Sequence, residues 1–417
     1  EDSLHVKFAD EAVCIGPAPS KESYLNIPNI IAACEITGSD AIHPGYGFLS
    51  ESAQFSQICQ NNGFTFLGPN AAIINSMGNK AQAKGTMKNA GVPVIPGGDG
   101  ILECPEDALS KAEEMGYPVM LKASAGGGGR GMRLVKKSSD VIQAFKSANQ
   151  EAITAFGNGD IYIEKFIQNP RHIEVQILAD SHGNAIHLGE RECSIQRRHQ
   201  KLIEESPSPL VDAVTRKKIG SAAIAGAKSV NYVGVGTIEF LMDANKNFYF
   251  MEMNTRIQVE HPVTEMVTGI DLIKQQIKMH VGEKCPILNE FNLRGHSIEC
   301  RINAEDPSNN FMPFPGKIEN FHMPGGKGVR VDSHAYAGYI IPTHYDSMIG
   351  KIIVHAKNRS RAIIRMQRAL EETIIDGPKT TIPYQMAIMK DAKFKSGDFD
   401  TGFLENFSFK NEDKIGG

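Results

Sequence analysis

The sequence lacks the features that mark membrane proteins, nucleic-acid-binding proteins and zinc-cluster proteins. No apolar run approaches the length that spans a bilayer, and no signal peptide precedes the first strand-like segment. The net charge of −4 on 417 residues gives no support for a nucleic-acid partner, which would require a broad basic surface. The seven cysteines form no Cys-x-x-Cys pair, so neither a zinc site nor a redox motif is indicated. We therefore predict a cytoplasmic protein with free thiols and with no membrane or nucleic-acid partner.

Two widespread nucleotide-binding patterns, the Walker A motif and the protein-kinase signature set, are also absent. Gly126, Gly128 and Gly131 have the spacing G-x-G-x-x-G, but a dinucleotide site requires a helix directly after this loop. The next residues, MRLV at 132–135, have the pattern of a strand. We interpret the segment as a hairpin whose tip, the glycine flap (126–131), brings backbone N–H groups around phosphate oxygens and closes on a ligand. Lys122, just before the flap, lies within reach of the same phosphates.

The length of 417 residues is sufficient for two or three domains. We predict an α/β and α+β multidomain protein in four parts. These are an N-terminal α/β domain (1–67), a helical linker (68–94), a small domain that carries the glycine flap (95–167), and a C-terminal catalytic domain (168–417). No internal repeat or low-complexity tract is present.

The first domain alternates strand and helix patterns, as is typical of a parallel sheet. We predict strands at 11–16, 41–43 and 64–67, and helices at 27–37 and 50–61. The loop HPGYGFLSES follows the second strand, and ligands of such sheets bind beyond the carboxyl ends of the strands. His43 and Tyr46 are therefore candidates for ligand contact, although a well-formed turn in which the tyrosine only packs explains the same residues.

Several cationic side chains follow in the linker and beyond. A helix predicted at 75–91 places Lys80 and Lys84 one turn apart, and a strand predicted at 161–167 carries Glu164 and Lys165. Farther along, CSIQRRHQKLIEE at 193–205 concentrates hydrogen-bond donors. Its donors are Gln196, Arg197, Arg198, His199 and Lys201. Either a basic surface loop or an anion site explains this last segment.

The segment 248–265, FYFMEMNTRIQVEHPVTE, separates polar from apolar residues by parity if it is extended. The even positions are Glu252, Asn254, Arg256, Gln258 and Glu260. The odd positions are mostly apolar, namely Tyr249, Met251, Met253, Ile257 and Val259. Five consecutive groups able to bind a metal ion or an anion are unusual on a solvated strand face, so we predict a functional face here.

A hairpin brings a further carboxylate to this face. Strands predicted at 236–242 and 247–253 flank a turn, and pairing Asp243 with Phe248 would place Glu239 opposite Glu252. A register slip of one residue would move Glu239 to the other face. Two opposed carboxylates repel each other unless a cation lies between them. Together with Asn254 they form a set of hard oxygen ligands suited to Mg²⁺ or Mn²⁺.

In these features the sequence resembles the ATP-grasp superfamily and, more closely, the biotin carboxylases of the bacterial acetyl-CoA carboxylase type. The resemblance runs essentially end to end, through HPGYGFLSES, KASAGGGGRGMR, EKFIQNPRHIEVQ, ERECSIQRRHQK, FMEMNTRIQVEHPVTE, ECRINAEDP and YDSMIGK in order. It implies an ATP-grasp fold with a Rossmann-like N-terminal domain, truncated at its start, a small mobile lid and a C-terminal mixed-sheet domain.

The resemblance also implies a reaction in two steps. ATP, with two Mg²⁺ or Mn²⁺ ions, phosphorylates bicarbonate to carboxyphosphate, which releases CO₂ and phosphate beside biotin. Biotin then takes up CO₂ after phosphate removes a proton from its ureido nitrogen. No Ala-Met-Lys-Met attachment motif is present, so biotin is expected on a separate carrier protein. Carboxyltransferase subunits and a second copy of the chain are the other expected partners.

The family pattern assigns a role to each candidate residue. Those implied for ATP are Lys80, Lys122, Gly127, Gly128, Gly129, Glu164, Lys165, His172, Gln196, His199, Glu239 and Glu252. Those implied for the metal ions are Glu239, Glu252 and Asn254. Those implied for bicarbonate are Lys201, Arg256, Gln258, Val259 and Glu260, with Glu260 as the base. Those implied for biotin are Tyr46 and Arg301. The catalytic residues are then Lys201, Arg256, Glu260 and Arg301.

The sequence departs from the family at its start, because the opening strand–helix–strand unit is not present. We expect the N-terminus to be incomplete, which leaves dimerisation open, and the end near residue 417 favours a stand-alone subunit.

Two alternatives compete with an active enzyme. A non-catalytic ATP-binding assembly subunit would be expected to have lost at least one carboxylate. Another ATP-grasp ligase, such as a carboxylate–amine ligase, would not need Tyr46, Gln258 and Arg301 in this arrangement.

Overall fold

A computed structural model describes residues 1–98, 100–124, 131–286 and 292–409. The first region contains α1 (Leu4–Phe8), α2 (Ile27–Thr37), β1 (Ala41–Ile42), α3 (Ala53–Asn61) and β2 (Thr65–Phe66). β1 and β2 are parallel, as predicted. The strand predicted at 11–16 is wrong. This segment has no strand partner among the described residues and is largely exposed, and a strand is stabilised by its cross-strand pairs.

Two helices replace the single helix predicted at 75–91: α4 (Ala71–Gly78) and α5 (Lys80–Asn89). The break is at Asn79, whose side chain accepts a hydrogen bond from the backbone N–H of Gln82 at 3.0 Å and caps α5. Lys80 is therefore the first residue of α5, and Lys84 follows one turn later.

The small domain packs two helices against a three-stranded antiparallel sheet. Its elements are α6 (Pro105–Met115), β3 (Val119–Ala123), β4 (Met132–Val135), α7 (Val141–Phe156) and β5 (Ile161–Lys165). The strand order is β4-β3-β5, so the predicted hairpin is confirmed. Its core consists of Leu121, Phe145, Ile163 and their apolar neighbours. In the flap, Gly127, Gly128 and Gly129 lie outside the described residues.

The C-terminal region is organised around an eight-stranded sheet. Its strands are β6 (Arg171–Ala179), β7 (Ala185–Arg197), β8 (Gln200–Ser206), β9 (Gly234–Met242), β10 (Phe248–Asn254), β11 (His296–Asn303), β16 (Val329–Ser333) and β18 (Met348–Ala356). The strand order is β10-β9-β6-β7-β8-β11-β18-β16, with antiparallel pairing throughout. The segment 193–205 is thus a β-hairpin, whose turn residues Arg198 and His199 have φ angles of 49° and 64°.

Helices and short strands surround this sheet. The helices are α8 (Ala213–Ser229), α9 (His261–Thr268), α10 (Leu272–His280), α11 (Arg359–Glu372), α12 (Ile382–Lys390) and α13 (Ala392–Ser396). The short strands are β12 (Glu305–Asp306), β13 (Met312–Pro313), β14 (Gly316–Lys317), β15 (Phe321–His322), β17 (Ile340–Ile341) and β19 (Ile374–Ile375). Gly269, whose φ of 74° is left-handed, ends α9 and separates it from α10. Within the described ranges, every helix is too short or too polar to cross a membrane.

The β9–β10 hairpin confirms the key pair and corrects its register. Glu252 lies opposite Glu239, but Phe248 pairs with Met242 instead of the predicted Asp243. A β-bulge between Phe250 and Glu252 absorbs the one-residue difference. The bulge also breaks the predicted parity of the apolar face. The buried residues of β10 are Phe250, Met253 and Asn254, whereas Tyr249 and Met251 remain partly exposed.

Candidate active site

A network of charged side chains lies on one face of the large sheet, beneath α9. At its centre, Lys201 on β8 contacts three carboxylates. Its Nζ donates to Glu174 at 2.5 Å, to Glu239 at 2.9 Å and to Glu260 at 2.6 Å. Burial alone would lower the pKa of Lys201, but the three carboxylates override burial and raise this pKa well above its ordinary value. Lys201 is therefore cationic at neutral pH. We call this group, with Arg191 and Arg301, the central network.

Glu239 on β9 is enclosed by donors. Besides Lys201, it accepts hydrogen bonds from Asn254 Nδ2 and Gln258 Nε2, both at 2.8 Å. His172 Nε2 lies 3.0 Å from Oε2 of Glu239 but is poorly aligned for a hydrogen bond. Burial alone would raise the pKa of Glu239, but Lys201 and His172 hold this pKa well below its ordinary value. The two predicted regions, 193–205 and 248–265, thus meet at one carboxylate.

Arg191 on β7 belongs to the central network and was missed by the sequence analysis. It is completely buried and contacts Glu174. It also donates to Gln176 Oε1 at 2.6 Å, to Thr264 Oγ1 at 2.9 Å and to Gln258 Oε1 at 2.9 Å. A signal for Glu174 and Arg191 was available. Both lie in strand patterns rich in apolar residues, and buried charges require partners.

Glu260 and Arg301 extend the central network toward β11. Glu260 directly precedes α9, and its Oε2 accepts a hydrogen bond from Arg301 at 2.9 Å. Burial would raise the pKa of Glu260, yet Lys201, Arg301 and Arg191 together hold this pKa below its ordinary value. Arg301 also donates from Nε to Glu204 at 2.6 Å, and Glu204 is a further residue that the sequence analysis missed.

The segment 255–260 is not a regular strand. Arg256 forms its contacts through its side chain, whereas Val259 forms its contact through its backbone carbonyl. Arg256 donates to Glu51 Oε2 at 3.0 Å and to Asn254 Oδ1 at 3.1 Å. Its guanidinium therefore joins the N-terminal domain to β10. The carbonyl of Val259 accepts a hydrogen bond from Lys351 at 2.7 Å, so the backbone at this position is held from β18.

A second group of charges, the lid-side cluster, lies where the linker helix α5 meets the small domain. Glu164 on β5 accepts from Lys84 at 3.0 Å and from Lys122 at 2.7 Å. Burial raises the pKa of Glu164, but the two lysines outweigh burial and lower this pKa. Lys80 lies 3.5 Å from Glu252. The cluster therefore contains three lysines, Lys80, Lys84 and Lys122, and two carboxylates.

Four other predicted residues, and His43, have no side-chain contact with these two groups among the contacts described. The ammonium of Lys165 is bound by backbone carbonyls at 115–117, the shortest contact being 2.8 Å to Gly116. Gln196 pairs with Lys201 across the β7–β8 hairpin, and His199 is exposed in its turn. His43 accepts from the N–H of Gly45 and contacts Gln276 at 3.0 Å, so it supports the turn and the contact with α10. The side chain of Tyr46 is exposed.

The residues proposed to bind metal fit a hard divalent cation by their chemistry. Glu239 and Glu252 are opposite each other on adjacent strands, and carboxylate oxygens with an amide oxygen are ligands that Mg²⁺ accepts. Asn254 directs its amide nitrogen to Glu239 and its oxygen to Arg256, so its amide group would have to turn to bind metal. His172, Glu174 and Glu239 also present ligand atoms within 4.8 Å of one another, but Lys201 contacts both of these carboxylates.

Three family models together match most of the chain. They are the biotin carboxylase N-terminal domain at residues 1–74, the ATP-binding domain of the carbamoyl-phosphate synthase L chain at 79–288, and the biotin carboxylase C-terminal domain at 299–406. Biotin carboxylase 1 of Bacillus subtilis is 56% identical over 98% of this chain and 91% of its own length. The chloroplastic biotin carboxylase of Arabidopsis thaliana is 57% identical over 97% of this chain and 75% of its own length.

Solved structures agree with the sequence relatives. A biotin carboxylase from Campylobacter jejuni, solved in complex with an ATP ligand, superposes with a TM-score of 0.95 at 54% identity over 98% of this chain and 91% of that chain. The biotin carboxylase domain dimer of a Hydrogenobacter thermophilus 2-oxoglutarate carboxylase, with MgADP and bicarbonate, superposes with a TM-score of 0.91 at 50% identity, covering 97% and 89% of the two chains. The chain is therefore a member of the biotin carboxylase family and has its ATP-grasp fold.

Proposed function

We propose that this protein is a biotin carboxylase, which uses MgATP and bicarbonate to carboxylate biotin on a separate carrier protein. The observation that carries the proposal is the position of Lys201. Its ammonium joins Glu239, at the proposed metal end of the site, to Glu260, at the proposed bicarbonate end. One cation between the two ends suits a reaction in which a phosphorylated intermediate is formed and used in one place. The names of the relatives support the same activity.

Glu260 would remove the proton from bicarbonate as its oxygen attacks the γ-phosphate. Because the pKa of Glu260 lies below its ordinary value, the side chain is ionised at neutral pH but is a weak base. Bicarbonate bound to Lys201 would compete with Glu260 for this ammonium. The competition weakens the pairing of Glu260, raises its pKa and makes it a stronger base at the moment of attack. Arg256, Gln258 and the backbone of Val259 would complete the bicarbonate site.

The phosphates of ATP would lie between the two charged groups of the site. Lys80, Lys122 and the glycine flap would bind them, with Glu164 and Lys165 near adenine and with His172, Gln196 and His199 near the ribose. Magnesium, when bound, supplies positive charge to the transferring phosphoryl group. Glu239, Glu252 and Asn254 are the residues that would hold it, with Mn²⁺ as a substitute.

Biotin would bind beside Arg301, whose guanidinium would stabilise the negative charge on the ureido oxygen during carboxyl transfer, with Tyr46 near the ring. The pKa of Arg301 is raised, since Glu204, Glu260 and Glu299 outweigh the effect of its burial, so this charge is permanent. We further propose an acetyl-CoA carboxylase context, with a biotin carrier protein and carboxyltransferase subunits as partners and a cytoplasmic location. A solved relative forms a dimer, which supports a homodimer. We also propose that the chain has four parts, at residues 1–67, 68–94, 95–167 and 168–417.

The test is ATP hydrolysis by the purified protein, measured with Mg²⁺ in the presence and absence of bicarbonate and free biotin. We expect little hydrolysis without bicarbonate, and we expect biotin to increase the rate. If bicarbonate and biotin leave the rate unchanged, the assignment is wrong. Incorporation of labelled bicarbonate into a biotinylated carrier domain distinguishes carboxylation from idle hydrolysis, and a screen of amines and other carboxylates tests the carboxylate–amine ligase alternative.

A further inference from the structure

Arg301 and three other ionisable side chains share one face of three adjacent strands. Glu299 is directly opposite Glu204 on β8, and Arg301, two residues farther along β11, is directly opposite Lys351 on β18. Side chains two residues apart on a strand point to the same face, and directly opposed residues have Cβ atoms about 4.5–5.5 Å apart. The two carboxyl groups are therefore neighbours. Glu174 and Glu239 are also directly opposed, on β6 and β9, but both of those carboxylates contact Lys201.

Three of the four carboxyl oxygens of these two glutamates have no hydrogen-bond partner among the described residues. Both are completely buried. Glu204 accepts from Arg301 Nε at 2.6 Å through Oε1, but its Oε2 has no partner among the described residues. Neither oxygen of Glu299 has one. Three buried carboxyl oxygens without a donor are costly if both groups are ionised. A proton between the two groups would satisfy one oxygen on each.

The surrounding charges do not supply another cation for Glu299. Arg301 is shared between Glu204 and Glu260. Lys351 donates to the carbonyl of Val259 and lies 3.6 Å from Asp332 on β16. From α9, Glu265 pairs with Arg330, and burial and nearby cations lower the pKa of His261 to about 3, so this histidine is neutral. Cys193 and Cys300 are buried thiols whose pKa values are raised well above the ordinary one.

The ionisation of Glu204 and Glu299 follows from their burial and from these neighbouring charges. Burial is the main cause that raises the pKa of Glu299 to about 8, with Glu204 and Glu260 adding to the effect and Lys351 and Arg301 opposing it. Burial likewise raises the pKa of Glu204 to about 7, against the effect of Arg301. At neutral pH the two carboxyl groups together therefore retain about one proton, because two close carboxylates with one cation do not ionise together.

We propose that Glu299 is a positioning residue that keeps this proton and donates a hydrogen bond through it to Oε2 of Glu204, so that Glu204 faces Arg301 as a single, fixed anion. Glu204 then holds Arg301 through Nε, so that the other N–H groups of the guanidinium face Glu260 and the substrate. Loss of the proton would place two repelling carboxylates behind the guanidinium and change its position. The inference rests on the proposed function only for the role of Arg301; the shared proton is independent of it.

The first experiment detects the proton without any activity measurement. Infrared difference spectra of wild type and Glu299→Gln, recorded across pH 6 to 9, should show the carbonyl band of a protonated carboxyl group in wild type, its loss at high pH, and its absence in the variant. Glu319→Gln, which removes an exposed carboxylate, is the control and should leave the band unchanged. A band of equal intensity in wild type and Glu299→Gln would overturn the proposal, as would no band in wild type at pH 6.

The second experiment tests the positioning. The amide of Glu299→Gln can still donate to Glu204, so its biotin-dependent turnover at pH 7 should remain within about threefold of wild type and should decline less at high pH. Glu299→Leu has no donor and should lose about tenfold in this turnover, with the KM for ATP unchanged. Equal turnover in Glu299→Leu and wild type would overturn the positioning role. If wild type has no biotin-dependent activity, the proposed function fails, while the infrared result still decides the shared proton.

Discussion

The central network and the lid-side cluster both contain buried carboxylates, but the charge that is shared is a cation in the first and an anion in the second. Lys201 of the central network is shared by three carboxylates, Glu174, Glu239 and Glu260. In the lid-side cluster, Glu164 is instead shared by two lysines, Lys84 and Lys122, with a third lysine at 3.5 Å from Glu252. Around Lys201 the carboxylates outnumber the ammonium group, whereas around Glu164 the ammonium groups outnumber the carboxylate. A divalent cation suits the first, and phosphate oxygens suit the second.

The two groups also differ in how they are assembled. Most members of the central network lie on strands of one sheet and on the segment that joins β10 to α9. Their positions relative to one another are therefore set by strand register. The lid-side cluster is assembled from α5, from the small sheet and from β10, so its geometry depends on how the small domain lies on the rest. We expect changes in the central network to affect chemistry, and changes in the lid-side cluster to affect ATP binding.

The most severe test of this difference is Lys201→Met. The substitution leaves three buried carboxylates without their shared cation, and breaking a buried charge pair in this way costs about 3–5 kcal/mol. We expect turnover to fall by about 10³-fold or more and the melting temperature to fall as well. Steady-state ATPase rates and thermal unfolding measure the two effects. Lys246→Met, which removes a partly exposed lysine bound to Asp212, is the control and should change neither.

Glu260→Gln should have the next largest effect, because it removes the proposed base while it keeps the shape of the side chain. General-base catalysis contributes about 10²–10⁴-fold, so we expect bicarbonate-dependent turnover to fall by at least about 10²-fold. ATP binding, measured by calorimetry, should be retained. Weakened ATP binding together with normal turnover would reverse the assignment of the two groups and would remove Glu260 from the catalytic residues.

On the lid side, Glu164→Gln should raise the KM for ATP by about tenfold, equivalent to about 1.4 kcal/mol, with a much smaller change in kcat. The physical reason is that the carboxylate holds Lys84 and Lys122 in place, and a neutral amide holds them less firmly. A fall in kcat at unchanged KM would contradict the proposed division of roles. Glu103→Gln, on the exposed surface of the same domain, is the control.

The smallest effect concerns pH. The folded-state pKa of Glu164 is lowered by its two lysines, against the effect of burial. Its ionic pairing therefore stabilises the fold above the ordinary glutamate pKa, and this stability is lost as the pH falls through the lowered value. As the pH is lowered from 7 to about 3, below the ordinary glutamate pKa, the melting temperature of Glu164→Gln should decline less than that of wild type, by about 2–4 °C for each kcal/mol involved. If the melting temperatures of the variant and of wild type decline in parallel with pH, the two lysines do not lower the pKa of Glu164.

The opposing glutamates of the β9–β10 hairpin show how far sequence reasoning reached. Alternation and turn position were sufficient to predict that Glu239 and Glu252 lie opposite each other. They were not sufficient for the register at the turn, since the bulge between Phe250 and Glu252 depends on how β10 packs against the core. The same limit explains the wrong strand at 11–16, whose residues have strand-like character but no strand partner among the described residues.

The sequence was sufficient to predict the kind of chemistry at this site, because the types and spacing of its polar residues are local properties that a chain carries before it folds. It identified the segments 193–205 and 248–265, the carboxylate pair and the cationic residues around them. The sequence was not sufficient to predict which charged side chains share partners, since that depends on the fold. That Lys201 contacts three acids, that Arg191 is enclosed, and that Glu204 and Glu299 face each other all follow from strand order in the large sheet. The physical reason is that ionisation and hydrogen bonding of buried groups depend on neighbours distant in the chain.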